Sequence, residues 1–224
     1  MAKLLHNYIS VNKDGQYSYG GNQLWSEDAV MRRCGCGVIA AADLLLYLGL
    51  YTPCCDRGLV CEFEHTHVVS HKDYEALTAK LRKSFLQVFY PVGMNGLSLS
   101  IGLNLYFSRW KLPFRASWGV THGRLWDKME QMLLEDIPVI FAVGPNFPFV
   151  WQNNRVNFYS KAEDGYKKTN SARAHYIMLT GMDEEWLKIS SWGRLFYVKK
   201  TEFIEYSKKH SLDLLSNMLY IRKK

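Results

Sequence analysis

One stretch of this chain is apolar around nearly its whole circumference when read as a helix, and it strongly limits how the chain can fold. It runs from Cys36 to Leu48, with Asp43 as its one charged residue. Gly49 follows at a position where a glycine commonly ends a helix. Such a helix has almost no face for water, so other elements must cover it on most sides. We therefore predict a central, buried helix with the rest of the chain packed around it.

The remaining hydrophobic patterns change in kind along the chain. Spacing typical of helices predicts helices at about 71–89, 97–110 and 121–135, capped by Ser70 and Thr121 where caps are visible. Shorter apolar runs predict strands at about 138–143, 174–180, 186–190, 195–198 and 217–221, with a helix at 201–209 capped by Thr201. Residues 1–33 are predicted to be irregular, and 144–173 to be a polar excursion with scattered aromatic residues.

Helices that precede strands in this way indicate an α+β fold. The chain has 224 residues, of which 48% are hydrophobic, and this suits one domain with a core that needs no disulfide or metal. We predict a single domain, residues 1–224, with a helical half at about 22–136 and an antiparallel β-sheet half at about 137–224.

Charge and hydropathy exclude several classes of partner. The net charge of +7 comes from short, scattered basic clusters without a nucleic-acid-binding motif, so we predict no nucleic-acid partner. The longest apolar run is too short to span a membrane, so no membrane partner is predicted. The N-terminus lacks the apolar region of a signal peptide, and we therefore expect a cytoplasmic protein.

The cysteines favour chemistry at one site over a disulfide framework, because their number is odd and no export signal is visible. The five are Cys34, Cys36, Cys54, Cys55 and Cys61. Three of them lie near His65, His67 and His71, and the His67–His71 spacing fits one half of a zinc site. The neighbouring side chains of Cys54 and Cys55 diverge, however, so we predict no bound metal and no organic cofactor.

Cys36 lies at the start of the central helix, where free N–H groups and the helix dipole stabilise a thiolate. Gly35 and Gly37 flank it and allow a substrate to approach the backbone closely. His175 lies on a distant predicted strand, and a thiol with an imidazole makes a cysteine nucleophile site. Cys34 is the alternative nucleophile.

A hairpin carries two serines toward His175. If Thr180 pairs with Trp186, His175 lies opposite Ser191, and a slip of one residue places Ser190 there instead. Directly opposed residues share a face of the sheet, so one of the two serines is expected beside the imidazole.

These segments resemble the papain-like cysteine peptidases, and especially their bacteriocin-leader peptidase-like, or C39-like, branch. CGCGVIAAADLLLYLG is similar to the helix that carries the nucleophile in that family. AHYIMLTGMD is similar to its histidine strand, SSWGR to its Asn-Ser-Trp-Gly segment, and LLEDIPVIFAVG to the segment before the histidine. The resemblance covers residues 22 to about 205 and implies a papain-like fold.

Position by position, the resemblance implies that Cys36 is the nucleophile and His175 the general base. Gln23 matches the family's glutamine, which helps to bind the oxyanion. Ser190 occupies the position of the family's Asp or Asn, which orients the histidine, and a neutral serine is the main departure. Asp183 is an alternative orienting group, although its place in the hairpin loop is distant.

The leading hypothesis is a thiol-dependent hydrolase that acts on a peptide or amide substrate through an acyl-enzyme. Two alternatives remain. The missing Asp or Asn favours a catalytically inactive binding protein of the same fold, and an acyltransferase would use an amine in place of water. The excursion at 144–173 precedes the histidine strand, and we expect it to form a lid or specificity loop.

Overall fold

The structure is a computed structural model that describes residues 1–53, 58–61 and 66–224. The predicted central helix is present as α2 (Cys36–Tyr51), and every residue from Ala40 to Leu48 is buried. It packs against an antiparallel sheet on one side and against α3 (His71–Ser84) on another. An apolar helix without a polar face is thus covered by the rest of the chain, as the sequence predicts.

Gly49 does not end this helix, and that prediction was wrong. The helix continues to Tyr51, and Thr52 is the C-cap residue. A Cβ added to Gly49 would lie 2.7 Å from Cγ2 of Val60, closer than packed side chains approach each other. The glycine therefore allows the segment around Val60 to pack tightly against the helix.

Four further α-helices complete the helical part of the described chain. They are α1 (Ala29–Cys34), α4 (Gly96–Arg109), α5 (Leu125–Leu134) and α6 (Lys200–His210). The hydroxyl of Ser70 caps α3 by accepting a hydrogen bond from the Asp73 amide, as predicted. Thr121 and Thr201 make no such cap, because a 3-10 turn (His122–Arg124) separates Thr121 from α5, and α6 begins at Lys200.

The main sheet holds four of the five predicted strands, and the fifth, at about 217–221, lies in a separate sheet. The main sheet is antiparallel and its strands occur in the order β1 (Ala2–Lys3), β9 (His175–Met182), β10 (Trp186–Ser191), β11 (Arg194–Lys199), β7 (Val156–Ala162) and β8 (Gly165–Ala172). A further strand, β6 (Val139–Val143), also pairs with β9. Strands β9 and β6 both pack on α2. The Tyr176 ring lies against Gly37, so the start of the buried helix faces the end of β9 that carries His175.

Residues 144–173 differ from the predicted excursion. Most of them form the β7–β8 hairpin, and β7 pairs with β11 through Tyr159 and Tyr197. Phe158 in β7 is fully buried. The hairpin is therefore part of the main sheet, and only residues 144–155 remain as a loop beside the histidine strand.

Residues 1–33 are also more ordered than predicted. The first strand, β1, extends the main sheet by pairing with β9. A small second sheet joins β2 (Ser10–Lys13) to β3 (Gln16–Tyr17) and β4 (Val68–Ser70). A third pairs β5 (Phe114–Trp118) with the last strand, β12 (Leu219–Lys223). The last strand confirms the prediction at about 217–221. The strands β1, β4 and β5 escaped prediction because their pairing partners are distant in sequence.

The fold is therefore α+β, with an antiparallel sheet packed against helices, as the order of elements predicts. The buried apolar residues of helices and strands form one core around α2. In the described parts of the chain, no helix combines the length and the apolar character that crossing a membrane requires.

Candidate active site

Cys36 is the first residue of α2, directly after the Gly35 that follows α1. Its own N–H lies in the first turn, where amides have no partner within the helix. A Cβ added to Gly37 would lie 2.9 Å from Cε of Met94 and 3.2 Å from the Tyr176 ring. The glycine therefore allows Tyr176, the neighbour of His175, to pack against the beginning of the helix.

His175 is the first residue of β9 and is only 8% exposed. Its ring stacks on Trp192, with centroids 4.4 Å apart and planes inclined by 14°. Trp192 and Gly193 form a two-residue turn between β10 and β11, and both have positive φ. That turn type suits a tight hairpin, and here it positions the indole over the imidazole.

The third group beside His175 is Ser191. Its Oγ lies 2.8 Å from Nε2 of His175, and the contact is buried. One of the two strand registers considered from the sequence placed Ser191 beside His175. The family motif, in contrast, aligned the orienting residue with Ser190. The sequence feature that could have identified Ser191 as the partner of His175 was a serine at the end of a β-strand, immediately before Trp-Gly.

The pairing of β9 with β10 explains this outcome. Ser190 pairs with Met178, after an irregularity between Lys188 and Ile189, so neither register considered from the sequence is present. Successive strand residues alternate between faces. Ser191 therefore shares the face of His175, whereas Ser190 points to the other face.

Ser190 does not contact the imidazole. Its hydroxyl donates to the carbonyl of Tyr19 at 2.6 Å. Asp183, the other candidate, lies beyond the opposite end of β9 and accepts hydrogen bonds from the amides of Glu185 and Trp186. The expected contact of Ser190 or Asp183 with His175 is therefore absent, and Ser191 makes this contact instead.

Burial shifts the pKa of both Cys36 and His175. It lowers the pKa of His175 to about 3. It also raises the pKa of the Cys36 thiol, although the backbone N–H groups of Tyr176 and Gly37 act in the opposite direction. A serine hydroxyl brings no negative charge to offset this effect, so burial favours the neutral form of both the thiol and the imidazole.

Gln23 also reaches the site. It begins a 3-10 turn (Gln23–Trp25) that is capped by the side chain of Asn22. The residue is buried, and its Nε2 donates to the carbonyl of Arg32 at 2.9 Å. An amide nitrogen carries two N–H groups, so this bond leaves one of them for another acceptor.

A network that sequence reasoning missed supports the segment before Gln23. The buried carboxylate of Asp43 accepts hydrogen bonds from Tyr8 at 2.8 Å, from Tyr74 at 2.6 Å and from the Gly21 amide at 3.1 Å. Burial raises the pKa of Asp43 to about 6 despite these donors. A single acid inside an otherwise apolar helix was the signal that could have revealed this network.

Cys36, His175 and Gln23 lie together along a cleft. They line a cavity of about 630 Å³ whose other walls are largely apolar. Gln23 and His175 also line an adjoining cavity of about 420 Å³. Cys34 lines the larger cavity as well, and its Sγ lies 3.6 Å from the carbonyl oxygen of Pro91. A much smaller space of about 20 Å³ behind the cleft includes Cys36 and His175 but not Cys34.

The cysteine and histidine cluster considered for zinc falls partly on residues that the structure does not describe, namely Cys54, Cys55 and His65. Within residues 1–53, 58–61 and 66–224, no three His, Cys, Asp or Glu side chains are grouped closely enough to hold a metal. His71 instead lies against Glu75 and the edge of Trp25.

The fold is shared with a known structure. The chain matches the crystal structure of a protein from Bacillus anthracis that is provisionally described as a C39-like peptidase. The TM-score is 0.51, and the match covers the whole of both chains at 15% sequence identity. No protein-family model matches this sequence, and no curated protein matches it either. The common feature is thus the fold, and the chemistry must be argued from the site.

Proposed function

We propose that this protein is a thiol-dependent hydrolase of peptide or amide bonds, with Cys36 as nucleophile and His175 as general base. The observation that carries the proposal is the convergence of Cys36, His175 and Gln23 on one cleft. The stacking of Trp192 and the contact with Ser191 hold the imidazole in place beside it. The fold, which resembles that of a C39-like peptidase, agrees with this assignment.

The reaction begins from the neutral pair. When Nε2–H of His175 donates to Ser191, Nδ1 is the unprotonated nitrogen. Nδ1 takes the thiol proton as Sγ of Cys36 attacks the carbonyl carbon. The carbonyl oxygen becomes an oxyanion, which accepts hydrogen bonds from the Cys36 N–H and the remaining Nε2–H of Gln23.

Collapse of this intermediate breaks the C–N bond. The imidazolium of His175 returns its proton to the leaving amine, and the acyl group remains on Cys36 as a thioester. A water molecule then attacks the thioester while His175 accepts its proton. The acid is released, and the Cys36 thiol is restored by the same proton.

A second candidate is an inactive binding protein with the same cleft. The observation that favours it is the neutral Ser191, because a hydroxyl stabilises the imidazolium of His175 less than a carboxylate does. Burial also lowers the pKa of His175, which makes formation of the imidazolium still less favourable. The two candidates differ in whether any substrate is turned over.

Hydrolysis of a complex peptide mixture tests the proposal. We expect new peptide termini, measured by mass spectrometry, with the wild type and with Cys34→Ala, but none with Cys36→Ala. Cys34→Ala is the matched control, since both thiols line the cleft. Cleavage that persists in Cys36→Ala would contradict the nucleophile assignment, and no cleavage by any form favours the binding protein.

A further inference from the structure

The two cavities beside Cys36 and His175 differ in chemical character. The larger one, of about 630 Å³, shares Arg33 with the smaller one but is lined mainly by apolar side chains, which include Pro91, Val92, Met94, Trp118, Leu214 and Leu215. The smaller one, of about 420 Å³, is lined by three arginines and by no Asp or Glu. A substrate that fills both cavities therefore meets an apolar wall on one side of the reacting bond and a cationic wall on the other.

The chemistry of the proposed hydrolase assigns a side of the substrate to each cavity. The acyl group stays on Cys36, which lines the apolar cavity but not the cationic one. The leaving amine receives its proton from His175, which lines both. The cationic cavity continues past His175 to Trp192, so it receives the leaving part of the substrate.

The three arginines come from different parts of the chain. Arg33 lies in the last turn of α1, Arg155 immediately before β7 and Arg173 between β8 and β9. Their polar contacts are with neutral groups. Arg33 donates to the Tyr90 hydroxyl at 2.9 Å, Arg155 to the side chain of Asn153 at 3.0 Å and Arg173 to the Gln152 carbonyl.

No carboxylate of the described residues forms an ion pair with any of these three guanidinium groups. Arg155 and Arg173 both act electrostatically on the Tyr206 hydroxyl, which donates to the Gly144 carbonyl next to the cavity. Arg155 and Arg173 thus act at one place, and no carboxylate within residues 1–53, 58–61 and 66–224 pairs with them. A guanidinium binds a carboxylate more strongly than a neutral acceptor.

We infer that the cationic cavity binds a carboxylate on the leaving side of the substrate, either an Asp or Glu side chain or a free peptide C-terminus. This inference rests on the proposed hydrolase for the direction of the substrate. Binding of the anion does not depend on the proposed hydrolase, because the three arginines bind it whether or not the bond is broken.

Libraries of short peptides test the inference. Each peptide has apolar residues in its first part, and the second part exists in three forms: Glu residues with an amidated C-terminus, Gln residues with an amidated C-terminus, and Gln residues with a free C-terminus. Retention on immobilised Cys36→Ala protein measures binding without turnover, and wild-type digestion measures cleavage. Mass spectrometry reads both.

Charge reversal identifies the site. In the Cys36→Ala background, Arg155→Glu with Arg173→Glu is compared with Lys167→Glu plus Lys168→Glu, which makes the same change of charge on exposed residues of β8 outside both cavities. The same two pairs are also made without Cys36→Ala for digestion. Gln at positions 155 and 173 is a milder pair in case the reversal prevents folding.

We expect about tenfold greater retention of at least one carboxylate-bearing form than of the neutral form. The advantage should be lost in the arginine variants and kept in the lysine variant. Preference for the Glu form identifies side-chain recognition, and preference for the free C-terminus identifies terminal recognition. Equal retention of all three forms overturns the inference, as does an equal loss in the lysine variant.

The inference and the proposed function fail separately. Arginine-dependent retention without any cleavage by the wild type supports the anion site and contradicts the hydrolase. Cys36-dependent cleavage without a preference for the carboxylate-bearing forms supports the hydrolase and contradicts the anion site. Absence of both retention and cleavage contradicts both.

Discussion

At the scale of single residues, the unusual feature is a histidine whose only close polar side-chain partner among the described residues is neutral. Nε2 of His175 contacts the hydroxyl of Ser191, and Trp192 covers the ring. A hydroxyl fixes the position of the imidazole and its tautomer, but it does not stabilise the imidazolium as an aspartate does. Ser191 thus fixes the orientation of the imidazole without adding a negative charge beside it.

Substitution of the two neighbouring serines should separate their roles. For Ser191→Ala we expect kcat/KM for peptide hydrolysis to fall about fivefold, because one buried hydrogen bond of roughly 1 kcal/mol is lost. Ser190→Ala should keep the wild-type pH profile and lose roughly 1 kcal/mol in the free energy of unfolding, since Ser190 bonds to Tyr19. If Ser190→Ala lowered kcat/KM and Ser191→Ala did not, Ser190 would be the residue that orients His175.

Ser191→Asp extends this test by adding the missing charge. A carboxylate beside His175 favours the imidazolium, so the pKa of His175 should rise from its low value of about 3. The acid limb of the profile of kcat/KM against pH should then move to higher pH. An unchanged acid limb would contradict the contact between positions 175 and 191.

The reactivity of Cys36 should reflect a neutral resting pair. Only the thiolate reacts with iodoacetamide, and burial raises the pKa of this thiol. We expect the alkylation rate to rise with pH and to reach half its maximum above the ordinary thiol pKa of about 8.5. Peptide mapping on Cys34→Ala protein isolates the Cys36 signal, and His175→Ala should leave the midpoint nearly unchanged. Rapid alkylation near neutral pH that His175→Ala abolishes would instead show a thiolate–imidazolium pair.

At the scale of elements, α2 contributes both to the core and to the candidate active site. It fills the core and presents Cys36 at its first turn, while Asp43 further along it binds the Gly21 amide and two tyrosine hydroxyls. Gly21 precedes Gln23 by two residues. The same helix therefore positions the proposed nucleophile directly and the proposed oxyanion donor through a buried carboxylate.

Asp43 makes stability depend on pH in a defined direction. Its pKa is about 3.8 ordinarily and about 6 in the folded protein, so ionisation costs more in the folded state. The protonated carboxyl therefore stabilises the folded state. This contribution is fully present below a pH of about 3.8 and is lost as the pH rises through about 6. The loss amounts to roughly 3 kcal/mol.

Asp43→Asn removes this dependence. Relative to wild type, the free energy of unfolding of the variant should therefore increase by up to roughly 3 kcal/mol between pH ~4 and pH ~7. Urea unfolding followed by circular dichroism measures it. The lowered pKa of His175 makes stability depend on pH in the opposite direction. This contribution is the same in both proteins and cancels when they are compared at each pH. A difference that does not change with pH would contradict the assignment.

At the scale of the whole molecule, the cleft lies where the start of α2 meets the start of β9. The sheet continues away from this point through β10 and β11 to the β7–β8 hairpin. That hairpin belongs to the core through the fully buried Phe158, while the preceding loop exposes Trp151. The segment expected to be a lid is thus mainly a structural part of the sheet.

Two aromatic substitutions distinguish these roles. Phe158→Ala should lower the free energy of unfolding by roughly 3–5 kcal/mol, because it leaves a cavity in the core. Trp151→Ala should change it by less than about 0.5 kcal/mol, because the side chain is 76% exposed. Thermal and urea unfolding measure both. A small effect of Phe158→Ala would mean that the hairpin folds independently of the sheet.

The sequence by itself determined the α+β order, the buried helix that begins at Cys36 and the strand that begins near His175. These follow from hydrophobic periodicity, which is local in sequence. The tertiary structure decided that Ser191, and not Ser190, meets His175, because that depends on an irregular register between β9 and β10. It also decided the pairing of β1 with β9, the addition of the β7–β8 hairpin to β11 and the arginine-lined cavity, since each depends on contacts between segments distant in sequence.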